Sequence, residues 1–160
     1  MTKPTGNKDL NQLDIANNRK ARKWSRKELV GRLLWEVFGQ TAFSLSPRPF
    51  WLFRRMILRL FGASIGSSVN IFPSVKIAVP WNLRVEDQTA IGEGAILYSL
   101  GRINIGARST ISQYAHLCAG SHDYKRVTFD LQKPPITIGS DAWICADAFI
   151  GPGVKVGDRT

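Results

Sequence analysis

From residue 65 onward, an aliphatic residue recurs at every sixth position of the chain. Thirteen six-residue frames begin with Ile, Leu or Val, and only three insertions interrupt the phase. The fifth position of each frame is small, with Trp81 as the exception. Because side chains on a strand alternate between its two faces, the first and fifth positions of a frame lie on the same side. The period of six therefore predicts short strands that turn their aliphatic side toward a common interior.

Glycine at the second position of six frames suits the corners between such strands, where other residues resist the backbone angles required. A narrow interior is filled by large aliphatic residues only if the fifth position stays small. Three frames then make one triangular coil, and stacked coils bury one another. The pattern predicts an all-β solenoid, a parallel β-helix of hexapeptide repeats, over residues 63–160. Spacing alone does not determine its handedness.

Three insertions break the repeat. Residues 83–84 and 103–104 add two positions each, and we expect them to turn corners. Residues 123–137 add fifteen positions directly after His122, and we expect them to leave the solenoid as a loop. The last frame stops at its fifth residue, Thr160, which leaves an uncapped coil edge that solenoids avoid. We therefore expect the chain to be truncated at its C-terminus.

The part of the chain before the repeat has a different pattern. Residues 1–22 are polar and are predicted to be a disordered, basic start, whereas residues 23–62 are predicted to form a short helical extension. Ser25 and Glu28 have the spacing of a capping box, and apolar residues at helical spacing follow them. A second helix is predicted to begin near residues 46–47 and to stop at Gly62.

The net charge of +10 belongs mainly to this extension. Residues 19–61 carry eleven Lys and Arg against two Glu, whereas residues 62–160 sum to +1. Arginines interrupt the apolar run of the second helix, which excludes a transmembrane helix. Two interpretations stay open: a helical pair that caps the open end of the solenoid with its arginines in solvent, or a peripheral membrane contact through residues 47–61. Nucleic-acid binding is not expected, because no recognisable module is present.

The cysteine pattern and the N-terminus bear on the compartment. Cys118 and Cys145 form no CxxC pair, and the first ten residues do not have the pattern of a signal peptide. A reducing cytoplasm is the compartment that these features favour, with the inner face of the membrane as the place of any lipid contact.

The candidate chemistry lies at the root of the long insertion. The two histidines, His116 and His122, end consecutive frames and are expected at stacked or adjacent positions. A sugar hydroxyl is a poor nucleophile until a base removes its proton, and imidazole, with an ordinary pKa near 6.5, is suited to this at neutral pH. His122 is the candidate general base, and Asp123 is the candidate group that orients its ring.

Several strings in the sequence resemble a known family. Leu-Cys-Ala-Gly-Ser-His-Asp-Tyr at 117–124 and Lys-Pro-Pro-Ile-Thr-Ile-Gly-Ser-Asp-Ala-Trp-Ile at 133–144 resemble the active-site stretch of sugar O-acetyltransferases of the galactoside, maltose and nodulation-factor type. Ser-Pro-Arg at 46–48 and Arg-Leu-Phe-Gly-Ala-Ser-Ile-Gly at 59–66 are similar to the colanic acid biosynthesis acetyltransferases. The resemblance covers roughly residues 29–160.

This resemblance implies a left-handed β-helix and a homotrimer with sites between subunits. It further implies transfer of an acetyl group from the co-substrate acetyl-CoA to a hydroxyl of a sugar or oligosaccharide acceptor, in the biosynthesis of an exopolysaccharide such as colanic acid, with no metal. The position that matches the family's catalytic base is His122, and Trp143 matches a tryptophan near the acyl-CoA. Trp143 is equally suited to packing against a neighbouring chain, and both roles stay open.

Two other functions are compatible with a solenoid. A γ-type carbonic anhydrase needs three histidines on zinc, whereas this chain contains two in all. A non-catalytic scaffold would use the β-helix as an assembly surface and leave His122 without a chemical role.

Overall fold

The computed structural model describes residues 12–160, which form a parallel β-helix with helices packed over its N-terminal end. The helical elements are α1 (Ile15–Lys20), α2 (Arg26–Leu34), a π-helical turn (Trp35–Gly39), α3 (Gln40–Leu45) and α4 (Trp51–Leu60). None of the helices within residues 12–160 has both the length and the apolar character needed to cross a bilayer.

The strands form three parallel sheets, one for each face of the solenoid. Face A contains β1 (Ser64–Ile65), β4 (Leu83–Val85), β7 (Ile103–Ile105), β12 (Ile136–Ile138) and β15 (Lys155–Val156). Face B contains β2 (Asn70–Ile71), β5 (Ala90–Ile91), β8 (Thr110–Ile111) and β13 (Trp143–Ile144). Face C contains β3 (Lys76–Ile77), β6 (Ile96–Tyr98), β9 (His116–Cys118) and β14 (Phe149–Ile150). An antiparallel hairpin, β10 (Ser121–His122) with β11 (Leu131–Gln132), projects from this body.

The prediction that the first position of each hexapeptide frame faces the interior is confirmed. Eleven of the thirteen first positions are buried, and Ile150 and Val156 in the last frames are half-buried. Trp81, the exception at the fifth position, lies in a 3₁₀ turn (Pro80–Asn82) and is half-buried. An added Cβ at Gly31 of α2 would lie 3.1 Å from the Trp81 ring, so this ring packs against α2.

The two short insertions do not turn corners as predicted. Residues 83–84 and 103–104 lie within β4 and β7, where Leu83 pairs with Ile103 and Ile103 with Ile136. All three side chains are buried. The extra residues therefore lengthen face A by one inward position per coil, because an additional strand pair buries more apolar surface than a longer corner would.

The long insertion begins and ends earlier than the predicted 123–137. His122 already lies in hairpin strand β10, whereas Thr137 lies in β12 and pairs with Asn104 and Lys155. The two histidines therefore do not occupy stacked positions of the solenoid, because His116 lies on face C opposite Ile96 and Phe149 whereas His122 lies in the hairpin. Ser121 and His122 fit the fifth and sixth positions of a hexapeptide frame, but they form the first strand of the hairpin. The repeat therefore did not show where the insertion begins.

The predicted capping box is confirmed, since Ser25 Oγ accepts from Glu28 N and Glu28 Oε2 accepts from Ser25 N. The second helix begins at Trp51, after the predicted residues 46–47, because the Pro47 and Pro49 region forms a turn. A disordered start is wrong for residues 12–22, where α1 forms and Asn18 is buried. The rest of that prediction, residues 1–11, lies outside the described residues.

The helices close the first coil in a specific way. N–H groups at the strand positions of each coil donate to carbonyls of the next coil, as from Gly66 N to Val85 O. The equivalent carbonyls of the first coil have no preceding coil to donate to them. Five side chains of the extension supply those donors: Trp35 Nε1 to Ile77 O (2.7 Å), Gln40 Nε2 to Val75 O (3.2 Å), Arg54 Nε to Ile71 O (2.6 Å), Arg55 Nη1 to Val69 O (2.9 Å) and Arg59 Nε to Ile65 O (2.9 Å). The extension is therefore a cap, and the three arginines of α4 donate hydrogen bonds to the solenoid instead of having only solvent as a partner.

Candidate active site

The hairpin β10–β11 carries the predicted base away from the solenoid. His122 pairs with Leu131 across the hairpin, and Asp123 N donates to Asp130 O at 2.8 Å. The turn that follows is closed by Arg126 N to Asp123 O and Phe129 N to Arg126 O. His122 is thus half-buried at the base of a short, hydrogen-bonded loop over residues 123–130.

A single residue of this loop holds the imidazole. Nδ1 of His122 lies 2.9 Å from the carbonyl oxygen of Phe129, and the two rings stack with their centroids 4.5 Å apart and their planes at 3°. A carbonyl oxygen only accepts hydrogen bonds, so Nδ1 must carry the proton in this contact. Nε2 then presents its lone pair, which is the form of the ring that acts as a general base.

Phe129 itself has an unusual backbone. Its φ is 48°, in the left-handed region that aromatic residues rarely adopt. The six other non-glycine residues with positive φ within residues 12–160 all lie at the fourth position of a hexapeptide frame, where the solenoid turns its corner. Phe129 belongs to no frame, so its conformation is a feature of the loop and is the kind of local strain found at functional sites.

Asp123 is not the group that holds Nδ1. Its carboxylate accepts from Lys125 N at 3.0 Å and lies 3.9 Å from Arg126 Nε. Arg126 also donates to Asp130, whose pKa lies below its ordinary value chiefly because of that guanidinium. These contacts join residues of the loop to one another and stabilise it.

Trp143 lies on a different face of the solenoid from the hairpin. It begins β13 on face B, opposite Thr110, and its Nε1 donates to Ser112 Oγ at 2.7 Å. The ring is therefore fixed in orientation although 65% of the residue is exposed. Within residues 12–160, no hydrogen bond or ring contact links Trp143 to His122.

The second histidine has no comparable arrangement. His116 packs edge-on against Phe149, with ring centroids 5.3 Å apart, and its Nε2 is buried without a hydrogen-bond partner among residues 12–160. In the same part of the chain, no group of three His, Cys, Asp or Glu residues is arranged to hold a metal ion.

A cavity of about 570 Å³ lies beside face C, between the helices and the first two coils. Polar residues from both sides line it, among them Arg32, Glu36, Ser74, Lys76 and Tyr98. Tyr98 also reaches the segment that leads into the hairpin, because a Cβ added at Gly120 would lie 3.1 Å from its Cε1. Tyr98 thus lies both in the wall of the cavity and next to the chain two residues before His122.

Two sequence relatives allow the family to be stated. Over 127 residues the chain is 46% identical to the colanic acid biosynthesis acetyltransferase WcaF of Escherichia coli (strain K12). The aligned region covers 79% of this chain and 70% of that protein. WcaF of Shigella flexneri gives the same values. No protein-family model matches the chain.

Solved structures define the class of fold. A maltose O-acetyltransferase from Clostridium difficile 630 superposes with a TM-score of 0.74 at 20% identity, covering 84% of this chain and 73% of that chain. A galactoside acetyltransferase in complex with coenzyme A superposes with a TM-score of 0.67 at 19% identity, covering 91% of this chain and 75% of that chain. The implied left-handed parallel β-helix of hexapeptide repeats is therefore confirmed. Within this class, the chain belongs to the family of colanic acid biosynthesis acetyltransferases, as the identity to WcaF shows.

The sequence predicted His122 as the candidate base but gave no sign of the group that contacts its ring. The acceptor is a main-chain carbonyl, and every residue has one, so no residue type marks it. The only sequence signal was indirect, since the insertion after His122 indicated a loop from which such a contact would come.

Proposed function

We propose that this protein transfers the acetyl group of acetyl-CoA to a hydroxyl of a sugar or oligosaccharide acceptor, with His122 as the general base. The observation that carries the proposal is the contact between Nδ1 of His122 and the Phe129 carbonyl, which leaves Nε2 as the acceptor nitrogen. Membership in an acetyltransferase family supports the reaction class. The same relatives support an acceptor in exopolysaccharide biosynthesis of the colanic acid type.

In this mechanism, Nε2 of His122 removes the proton of the sugar hydroxyl as its oxygen bonds to the thioester carbonyl carbon. The carbon–sulfur bond then breaks, and the proton passes from the imidazolium to the departing thiolate, which restores the base. Throughout, the Phe129 carbonyl accepts from Nδ1–H and stabilises the imidazolium by its dipole. One histidine therefore serves both proton transfers.

We place the acceptor in the cavity beside face C. Its lining combines charged and hydroxyl side chains with the aromatic ring of Tyr98, a combination suited to the hydroxyls and the apolar face of a sugar ring. The contact of Tyr98 with Gly120 brings this wall close to the hairpin.

We assign Trp143 to the acetyl-CoA site and propose a homotrimer. Because Trp143 lies on face B and the hairpin leaves from face C, a neighbouring copy can bring Trp143 of one chain toward His122 of another. Large exposed side chains on the outer surface of the later coils, Tyr114, Trp143 and Phe149, are consistent with such packing. Packing of Trp143 between chains and contact with the acyl-CoA are compatible roles.

We further propose that α4 and its neighbours, including residues 47–61, rest on an anionic membrane. The arginines of α4 donate to carbonyls of the first coil, and four apolar residues of the helix face outward: Leu52, Phe53, Met56 and Leu60 are between 42% and 82% exposed. Six exposed Lys and Arg lie in the helical N-terminal part of the chain, and Arg48 is the one in the turn directly before α4: Arg19, Lys20, Arg22, Arg26, Lys27 and Arg48. An apolar face with surrounding positive charge is complementary to anionic lipid. Since acetyl-CoA is an intracellular metabolite, we place the protein at the cytoplasmic face.

In this proposal, residues 23–62 serve as cap and membrane contact, and residues 63–160 carry the chemistry. The test of the reaction is an acetyl-CoA consumption assay of the full chain against a panel of sugars and lipid-linked oligosaccharides. Acetylated product, dependent on both substrates, is expected. Absence of acetyl-CoA binding to the folded protein in a calorimeter would instead favour a non-catalytic scaffold.

A further inference from the structure

The segment 12–24, here called the strap, connects the helical extension to the loop that holds His122. Asp14 N donates to Val127 O at 2.7 Å, and the Lys133 ammonium lies 3.5 Å from the centroid of the Trp24 ring. The strap therefore contacts the loop near its tip and the chain just beyond its second strand. Neither contact follows from the β-helix itself, since both partners lie outside the hexapeptide frames.

Asn18 of α1 makes the central contact. It is buried, and its Nδ2 lies 2.6 Å from Thr128 O and 2.6 Å from Phe129 O. Its Oδ1 accepts from Lys23 Nζ at 2.6 Å. Both ends of the amide are thus bonded, which fixes its orientation and directs its N–H groups at the loop.

The second of these carbonyls is the one that holds the base. Phe129 O accepts from Asn18 Nδ2 and also lies 2.9 Å from His122 Nδ1. A carbonyl oxygen has two lone pairs, so both donors are accommodated at once. The amide of Asn18 and the imidazole of His122 consequently share one acceptor atom.

We propose that Asn18 is a positioning residue for His122, acting through the Phe129 carbonyl; this rests on His122 being the base. The φ of 48° at Phe129 is a costly conformation that persists only when its surroundings enforce it. Asn18 bonds the carbonyls on both sides of the Phe129 amide nitrogen and so fixes the peptide plane that faces the imidazole. Loss of these bonds allows the plane to turn, which releases Nδ1 and removes the preference for the Nδ1–H tautomer.

The neighbouring Asn17 provides a matched control. It lies on the same helix and has the same side chain, but it is exposed and its Nδ2 donates to Asp14 Oδ2 at 2.7 Å. Asn17→Ala removes an amide from the strap without touching the loop. Asn18→Ala and Asn18→Asp both remove the N–H donors, and the Asp variant keeps the size of the side chain.

The experiment combines ring spectroscopy with kinetics on the full chain. Nitrogen-15 NMR of the imidazole groups reports their tautomers, and with two histidines the signals are assigned by the His116→Ala and His122→Ala variants. Kinetics use acetyl-CoA with a mixture of methyl glycosides, and circular dichroism verifies the fold. In the wild type we expect the Nδ1–H form at His122. Both Asn18 variants should shift it toward Nε2–H and lower kcat about tenfold or more at unchanged KM for acetyl-CoA.

The positioning role is overturned if the Asn18 variants keep the wild-type tautomer signal and the kcat of Asn17→Ala. It is also overturned if their activity falls only in proportion to folded protein. A His122→Ala variant that remains fully active would instead refute the proposed base, whatever the Asn18 variants do. The two ideas therefore fail in different measurements.

Discussion

Phe129 contacts His122 twice, through its ring and through its carbonyl. The rings stack at a centroid distance of 4.5 Å while the carbonyl oxygen lies 2.9 Å from Nδ1. Stacking limits rotation of the imidazole, and the hydrogen bond selects which nitrogen carries the proton. A loop residue outside the repeat thereby determines both the direction and the tautomer of the proposed base.

The cap on the first coil predicts a strong effect at Arg54. Its guanidinium is buried and donates to Ile71 O, Ser46 Oγ and Pro47 O. Arg54→Ala leaves these acceptors without their charged donor and is expected to lower the free energy of unfolding by about 3 kcal/mol in urea titrations. The matched control is Arg48→Ala, because Arg48 is exposed and its guanidinium lies over the Phe72 ring. Loss of this contact is expected to lower the free energy of unfolding by about 0.5–1 kcal/mol. Equal losses in the two variants would contradict the capping role.

Stability in acid should depend on Asp87, which joins the first two coils. Its carboxylate accepts from Ser68 N and from the Ser67 hydroxyl, and these bonds hold its pKa below the ordinary value of 3.8. Folding favours the charged form, so this contribution is present above the ordinary pKa and is lost as the pH falls through the lower, folded value.

Thermal unfolding across the acid range measures this contribution. Asp87→Asn should lower the melting temperature at pH 6 and bring the variant and the wild type closer together as the pH falls below the ordinary carboxyl pKa. Glu93→Gln, whose exposed carboxylate makes no hydrogen bond within residues 12–160, should leave the profile unchanged. A constant difference between Asp87→Asn and the wild type at every pH would exclude the linkage.

Trp143 should affect the acyl donor more than the acceptor. Trp143→Ala removes the exposed ring, and we expect the KM for acetyl-CoA to rise about tenfold while the KM for the sugar stays the same. Trp143→Phe keeps an aromatic surface but loses the bond to Ser112, so it should have an intermediate value. Sedimentation of both variants separates the two roles, because a fall in mass without a change in KM would assign the ring to packing between chains.

The apolar surface of α4 predicts membrane binding. Leu52→Ser combined with Leu60→Ser should weaken binding to vesicles of phosphatidylglycerol and phosphatidylcholine at least about tenfold. Each leucine that enters the lipid contributes roughly 1–2 kcal/mol to the binding free energy. Val154→Ser, an exposed apolar residue in the last frames of the solenoid, is the control. Binding should also weaken with salt. Unaltered binding in the leucine variant would show that another surface contacts the lipid.

The sequence predicted the solenoid well because its information is local and repeated. An inward aliphatic such as Ile91 or Ile111 is required in every coil, and each repetition confirms the others. The short insertions were placed wrongly at corners because two extra residues fit either a corner or a longer strand. Only the pairing of Leu83 with Ile103 distinguishes these possibilities.

The arrangement of the site was less predictable because it depends on contacts distant in sequence. Asn18 meets the loop over a separation of 111 residues, and nothing in the composition of residues 12–24 indicates a partner. Likewise, the arginines of α4 have the spacing of an interfacial helix, but unpaired carbonyls of the first coil turn them inward. The demand for hydrogen-bond donors at a solenoid edge decides the orientation of this helix.

The central claim is that Nε2 of His122 is the base for acetyl transfer, and the steady-state rate of His122→Ala tests it most directly. We expect kcat to fall roughly 10²- to 10⁴-fold with the circular dichroism spectrum unchanged. His116→Ala, which removes the other imidazole, should keep kcat within a few-fold of the wild type. A folded His122→Ala protein that transfers acetyl groups at the wild-type rate would contradict the account.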